Sequence, residues 1–194
     1  MSSKNPKIKG AKRNSFAVGA EIINVNMIIA TDQLIEKYPN PSKDPNNPTG
    51  IGHNFSYMVA SGAALDPTGS GTGDLAFGAA IGDVVRFTAV SEYNQFRQSV
   101  VMYDMFYISG DHIFQNDDFD LKTATGVKTP FPTSFSDFNV KFVDQDFYWG
   151  ENNISSAGTE NYGLRFALYQ LERGQQDPTL LGYYQWDPQI TVNG

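Results

Sequence analysis

In residues 71–96, one short segment of alternating apolar and other residues lies on each side of a glycine-containing turn. This pattern constrains the fold of the chain more than any other. Apolar side chains occupy every second position of the two flanking segments: Leu75 and Phe77 in the first, and Val85, Phe87 and Ala89 in the second. Such alternation is typical of strands with one buried face. Residues 78–83 supply the glycines of a sharp reversal, because glycine adopts positive φ without strain. The segment predicts a β-hairpin, followed by a polar loop at residues 91–98.

Strand patterns recur along the rest of the chain, at residues 21–31, 55–60, 99–108, 135–143, 162–171 and 180–186. Helical periodicity is almost absent apart from one turn at residues 33–37, and polar or proline-rich segments predict loops at 38–50, 110–132 and 144–160. In the strand at 99–108 the pattern predicts one buried set, Val101, Tyr103, Met105 and Tyr107. Many short strands separated by turn signals predict an all-β fold, an antiparallel β-sandwich of jelly-roll type. We expect residues 16–194 to form this single domain and residues 1–15 to be a flexible, basic tail.

The charge of the chain excludes some classes of partner. The formal net charge is −7, although five basic residues lie within the first 13 positions, so the body of the protein is more acidic than the whole. An acidic body predicts no nucleic-acid partner. No run approaches the roughly 18 apolar residues of a membrane span, and the apolar segment after the basic N-terminus is interrupted by Glu21, Asn24 and Asn26, unlike that of a signal peptide. We therefore expect a cytoplasmic protein without a membrane partner.

The surface composition favours contacts between copies of the chain. Charged residues make up 18%, below the usual quarter, while Asn and Gln are abundant at 15 and 10 residues. Polar but weakly charged surfaces repel their own copies little, which favours self-association. A turn-rich β protein would also be rich in Asn, so this interpretation stays open.

Sequence motifs of catalysis are mostly missing, which predicts that the protein is not an enzyme. The chain has no cysteine, so it offers neither a thiol nucleophile nor a cysteine metal site. It also lacks a Gly-x-Ser-x-Gly elbow, a P-loop and a His-Glu-x-x-His helix. Asp111 and His112 are adjacent and could serve acid–base chemistry in a hydrolase, but no nucleophile accompanies them. The carboxylates at residues 117–120 are a weak calcium motif, because the glycine and glutamate of an EF-hand are missing.

Two segments that we expect to be loops carry carboxylates, amides and aromatic rings, the groups that bind sugars and calcium. A sugar site would use five of them: Glu92, Tyr93, Asn94, Asn152 and Asn153. A calcium site would use four: Asp144, Asp146, Asn152 and Asn153. Calcium is therefore the one cofactor, and carbohydrate the one ligand, that the residues suggest. In the alternative interpretation these polar groups cap turns and the rings belong to the core.

A series of motifs resembles the PixA/AidA family of bacterial inclusion-body proteins. They occur in the same order over residues 22–192: Tyr57-Met58-Val59, Gly71 to Leu75, Gly82 to Phe87, Ser91, Ser156 to Tyr162 and Gly182 to Pro188. The resemblance implies a β-sandwich stored in intracellular crystalline inclusions. The member that gives the family its name is rich in methionine, whereas this chain has five, so a role in methionine storage is not implied.

A second, thinner similarity is to small calcium-dependent galactose-binding bacterial lectins. It rests on Gly82-Asp83-Val84, Tyr93 and the run Gly150 to Asn153, but the threonine that those lectins carry before the paired asparagines is missing. Taken together, the missing catalytic motifs, the weakly charged composition and the resemblance to the inclusion-body family predict a non-enzymatic protein. We expect it to self-assemble as homodimers and then as a crystalline lattice in cytoplasmic inclusion bodies. The alternative is a calcium-dependent carbohydrate-binding module stored in the same way.

Overall fold

The computed structural model describes residues 19–134 and 136–193, and almost every element in them is a strand. One short helix, α1, spans Thr31–Lys37, close to the helical turn predicted at 33–37, and a single 3-10 turn spans His53–Phe55. The predicted tail, residues 1–15, lies outside the described residues. Within the described part of the chain, no helix is long and apolar enough to cross a membrane.

Eleven strands follow one another along the described chain. Their bounds are β1 Ile22–Ile29, β2 Thr49–Gly50, β3 Ser56–Ala60, β4 Leu65–Thr68, β5 Leu75–Gly78, β6 Val84–Ser91, β7 Gln98–Gly110, β8 Asp120–Ser134, β9 Asn139–Asn153, β10 Thr159–Gln170 and β11 Thr179–Asn193. The first sheet has the order β3-β1-β6-β9-β8, and the second has the order β4-β5-β11-β10-β7 with β2 beside β11.

The fold is all-β, as predicted, but the sheets are mixed rather than purely antiparallel. Most described strand pairs are antiparallel, whereas β1 runs parallel to β6 and β11 runs parallel to both β5 and β2. The two sheets share one core, in which β1 and β6 present alternate apolar residues to those of β10 and β11. Ile23 and Phe87 from the first sheet and Leu164 and Trp186 from the second are all buried there.

The hairpin predicted at residues 71–96 does not form, although both of its strands do. β5 lies in the second sheet beside β4 and β11, and β6 lies in the first beside β1 and β9. The turn between them carries the chain across the core, with Gly82 at φ +94°. The buried carboxylate of Asp83 holds this turn, because it accepts hydrogen bonds from the amides of Glu21 at 3.0 Å and Ala80 at 2.8 Å. Alternation indicates which face is buried but not which strand lies alongside, so both pairings fit the same pattern.

The buried set predicted for β7 is correct at Met105 and incorrect at Val101 and Tyr103. Met105 is 2% exposed, but Val101 and Tyr103 are 37% and 40% exposed, and Val100 and Met102 lie in the core in their place. The register between β7 and β10 shifts by one residue beside Tyr103. A bulge of this kind reverses the parity of every position beyond it, so no single alternation fits the whole strand.

The segments 110–132 and 144–160 were predicted as loops, but more than half of their residues lie in strands. Most of these residues belong to β8 and β9, which pair with each other along most of their length. β8 and β9 make a hairpin, but β6 pairs only with the base of β9, from Gly150 to Asn153. Among the described strands, none lies beside the rest of the hairpin. We call this projecting ribbon, residues 122–134 and 136–149, the arm; at 3.3 Å per residue it is about 35 Å long. Pro130 and Pro132 lie on β8, which is the last strand in the described order of the first sheet. Proline lacks a backbone N–H, and it is tolerated on an edge strand because that strand forms backbone hydrogen bonds on one side only.

Candidate functional site

Glu92, Tyr93 and Asn94, predicted as sugar ligands, lie in the loop after β6, and the first two hold this loop against helix α1. The Glu92 carboxylate accepts hydrogen bonds from the amides of Thr31 at 2.7 Å and Asp32 at 2.9 Å, and so caps the first turn of the helix from a distant part of the chain. The Tyr93 hydroxyl donates to the Asp32 carboxylate at 2.5 Å. Asn94 adopts φ +51°, as turns often require of asparagine.

Asn152 and Asn153, predicted for both the sugar and the calcium site, lie at the other end of β6 and bind the loop between β7 and β8. The buried amide of Asn152 donates to the carbonyls of Asn116 at 2.7 Å and Asp118 at 3.2 Å. The Asn153 amide donates to the Gln115 side chain at 3.0 Å. These contacts fix the connection that leads into the arm.

The structure does not bring the predicted site residues together. Asn153 pairs with Val84 at the start of β6, whereas Glu92 follows its last residue, so about 23 Å of strand separates the two groups. Asp144 and Asp146 lie on the arm, about 20–30 Å along β9 from the asparagines. Because calcium ligands lie about 2.3–2.6 Å from the ion, one ion cannot use both pairs.

The two arm carboxylates have partners of their own. Asp144 forms an ion pair with Lys128 at 2.7 Å, and Asp146 accepts the amide of Gly126 at 2.7 Å. Among the described residues, no cluster of three or more His, Asp or Glu side chains could hold a metal ion. Whether the protein binds calcium or a sugar is not tested by these distances, and both stay predictions.

Asp111 and His112 do not form a dyad. The Asp111 carboxylate accepts the amide of Thr159 at 3.1 Å. His112 stacks on Tyr107 with ring centroids 4.3 Å apart, and its Nδ1 lies 3.3 Å from Asp117 on an exposed surface. The arrangement is that of a turn held by side chains.

A charged cluster at the base of the arm was not expected from the sequence. The Glu151 carboxylate accepts hydrogen bonds from Arg86 at 2.6 Å and from the indole of Trp149 at 3.0 Å, and the guanidinium lies 5.0 Å from the centre of the indole ring. Burial alone would raise the pKa of Glu151, but the hydrogen bonds from Trp149 and Arg86 outweigh it and hold the pKa below its ordinary value of 4.5. The cluster ties β6 to β9 where the arm begins.

We expect Glu151→Gln to reduce the sensitivity of the protein to acid. A carboxylate whose pKa is lower in the folded state stabilises the fold above its unfolded pKa, and this contribution is lost as the pH falls below about 4.5. The free energy of unfolding of the variant should therefore fall less steeply in that range than that of the wild type. Urea unfolding between pH 6 and pH 3 measures this, with Glu36→Gln on the exposed face of α1 as the control; equal slopes for all three proteins would contradict it.

An apolar groove of about 350 Å³ opens between β7 and the base of the arm. Its lining includes Val101, Met102 and Tyr103 on one side and Leu121 and Tyr148 on the other. The groove is thus formed where β9 leaves the sandwich and the edge of β7 is left uncovered. Its aliphatic and aromatic walls suit apolar side chains.

The arm carries large apolar side chains that are open to solvent. Phe138 at its tip is 74% exposed, and Phe142 and Phe131 on its strands are 66% and 51% exposed. Lys141 lies 5.4 Å from the centre of the Phe131 ring and covers one side of it. Several large apolar side chains exposed on one part of the surface are typical of a protein–protein contact site. The groove at the base of the arm is apolar as well.

The described residues thus form a two-sheet β protein with an arm that carries exposed apolar residues and an apolar groove at the base of that arm. The model of the PixA family, described as inclusion body protein, matches residues 21–192. The chain therefore belongs to the PixA family of inclusion body proteins, and the resemblance inferred from its motifs is confirmed.

The fold is also found in a crystal structure of an inclusion body protein of the PixA family from Burkholderia cenocepacia J2315. That structure has a TM-score of 0.74 and 22% sequence identity, and the match covers 93% of this chain and 99% of the other. At this identity the similarity establishes the fold alone. No curated protein matches the chain.

Proposed function

We propose that this chain is a non-enzymatic structural protein that self-assembles into ordered particles and is stored in cytoplasmic inclusion bodies. The observation that carries the proposal is membership of the inclusion body family over residues 21–192. The surface chemistry supports it, since charged residues make up only 18% of the chain and amides are abundant. The exposed rings of the arm add apolar contact area that a monomer leaves in water.

We expect the purified protein to form particles reversibly at neutral pH and high concentration. Raising the pH makes the net charge more negative than −7, so repulsion between copies should dissolve the particles, and added salt should screen that repulsion and restore them. Light scattering follows assembly, circular dichroism checks that the protein in the particles is folded, and powder diffraction reports their order. Protein that stays monomeric under all these conditions would contradict the proposal, and so would particles made only of unfolded chains.

A further inference from the structure

The arm places two exposed apolar residues of β9, Val140 and Phe142, on the same face as the groove. Side chains two residues apart on a strand share a face, so Val140, Phe142 and Tyr148 on β9 point to the same side of the ribbon as Gly150. Leu121 pairs with Gly150 and lies on that side as well. One face of the arm therefore has apolar residues near its tip and an apolar groove at its base, and between them lie Asp144, which is paired with Lys128, and Asp146, which accepts the Gly126 amide.

The polar groups of the groove are already engaged within the chain. The Tyr103 hydroxyl donates to the carbonyl of Pro45 at 2.8 Å, and the Tyr148 hydroxyl donates to the carbonyl of Val100 at 3.3 Å. The Asp104 carboxylate accepts a hydrogen bond from Arg165 at 2.7 Å. Small-molecule sites usually present several convergent polar groups to orient the ligand. Here such groups are used up, which favours an apolar side chain as the occupant.

We propose that the occupant is the arm of a second copy of this chain, with Phe138 and Phe142 of one copy packed against Val101, Tyr103 and Leu121 of the other. The inference rests on the proposed function, since it names the contact through which assembly begins. Two copies with their arms antiparallel and face to face place each tip at the base of the other arm. Both contacts then form at once, and the two copies are related by a two-fold axis.

The area involved fits a reciprocal contact. Phe138 and Phe142 are 74% and 66% exposed, and at about 150–250 Å² for an aromatic side chain their open surface is roughly 300 Å². With a similar area from the groove, each contact buries roughly 600 Å², and the pair buries roughly 1,200 Å², which reaches the lower end of stable interfaces at about 1,200–2,000 Å². A single one-way contact would bury half of this area. The two-stranded ribbon also gains support that it lacks alone, because isolated hairpins are marginally stable in water.

The first test is the oligomeric state of the double variant Phe138→Ser with Phe142→Ser. We expect the wild type to sediment as a dimer and the double variant to dissociate at least ten times more readily, while its circular dichroism spectrum stays that of the folded wild type because neither ring lies in the core. Phe96→Ser is the matched control, since Phe96 is 81% exposed in the loop between β6 and β7 and is not one of the residues of the proposed contact. A double variant that stays as dimeric as the wild type, or a wild type that is monomeric at every concentration, would overturn the proposal.

The second test uses the absence of cysteine from the chain. One batch carries Phe138→Cys, another carries Val101→Cys, and the two are mixed at low concentration, concentrated and oxidised. We expect covalent dimers in the mixture and few in either batch alone, because antiparallel arms keep the two tips far apart. Equal linkage in the Phe138→Cys batch alone would mean that tips meet tips, which contradicts the proposed geometry.

Particle formation by the same variants separates this inference from the proposed function. If the double variant stays dimeric while the wild type still forms particles, the arm contact is overturned and self-assembly stands. If the cross-links form as expected but the wild type never forms particles, the arm contact stands and the proposed function fails. If the double variant is monomeric and forms no particles while Phe96→Ser does, both are supported.

Discussion

The Phe87→Ala variant should lose about 3–5 kcal/mol of unfolding free energy, the largest effect that we expect from a single substitution. Phe87 is fully buried at the centre of β6, where it pairs with Val25 of β1 on one side and Gly150 of β9 on the other. Its ring makes an edge-on contact with Phe119 at 5.3 Å. Gly150 has no side chain to move into the space, so the cavity left by alanine should remain largely open.

The measurement is urea unfolding followed by fluorescence, in which a lower midpoint at an unchanged slope reports lost stability. Phe96→Ala is the control, because Phe96 is exposed in a loop and its removal should change the free energy of unfolding by no more than about 0.5 kcal/mol. A loss below about 1 kcal/mol for Phe87→Ala would mean that the core is not packed around this ring.

The second large effect concerns Glu160, a carboxylate that is only 1% exposed. It accepts hydrogen bonds from the amides of Ile113 at 2.7 Å and Phe114 at 3.2 Å and from the hydroxyl of Tyr162 at 2.5 Å. Burial, and then the contact with this carboxylate, raises the pKa of Tyr162, so the hydroxyl keeps its proton and remains a donor. Glu160 thus fastens the loop that leads into the arm.

We expect Glu160→Ala to destabilise the protein by about 3 kcal/mol, because three buried donors lose their acceptor and each costs about 1–3 kcal/mol before water relieves part of the loss. Amide hydrogen exchange at Ile113 and Phe114 should accelerate with it. Tyr162→Phe is the matched control: it removes one of the three donors and leaves the carboxylate bound to the backbone, so it should cost about 1 kcal/mol. Equal losses in the two variants would contradict the assignment of the backbone contacts to Glu160.

The strands of the sandwich were predictable because their burial is one-sided. In β1 and β6 every second residue is buried, so apolar residues recur at every second position of the sequence. The arm has no such pattern because both of its faces are exposed along most of its length, and its two prolines are typical of loops. Its strands were therefore predicted as loops, and with them the groove was missed.

The residues proposed as one sugar or calcium site were chosen for their chemistry, which the sequence does reveal. Their spatial separation could not be predicted, since it depends on β9 continuing as a strand through Asp144 and Asp146 rather than turning back as a loop. The roles that Glu92 and Asn152 perform also depend on distant backbone groups, at Thr31 and Asn116. Backbone amides and carbonyls are the same at every position, so no sequence pattern marks them as partners.

By itself the sequence determined the all-β class, the buried face of most strands and the family, because each of these depends on local residue order. The tertiary structure decided which strands pair, that β5 and β6 lie in opposite sheets, and that the arm leaves the sandwich and opens a groove beside β7. Pairing depends on contacts between segments far apart in the chain. Several arrangements satisfy the same alternation, and only the packing of the whole core selects one of them.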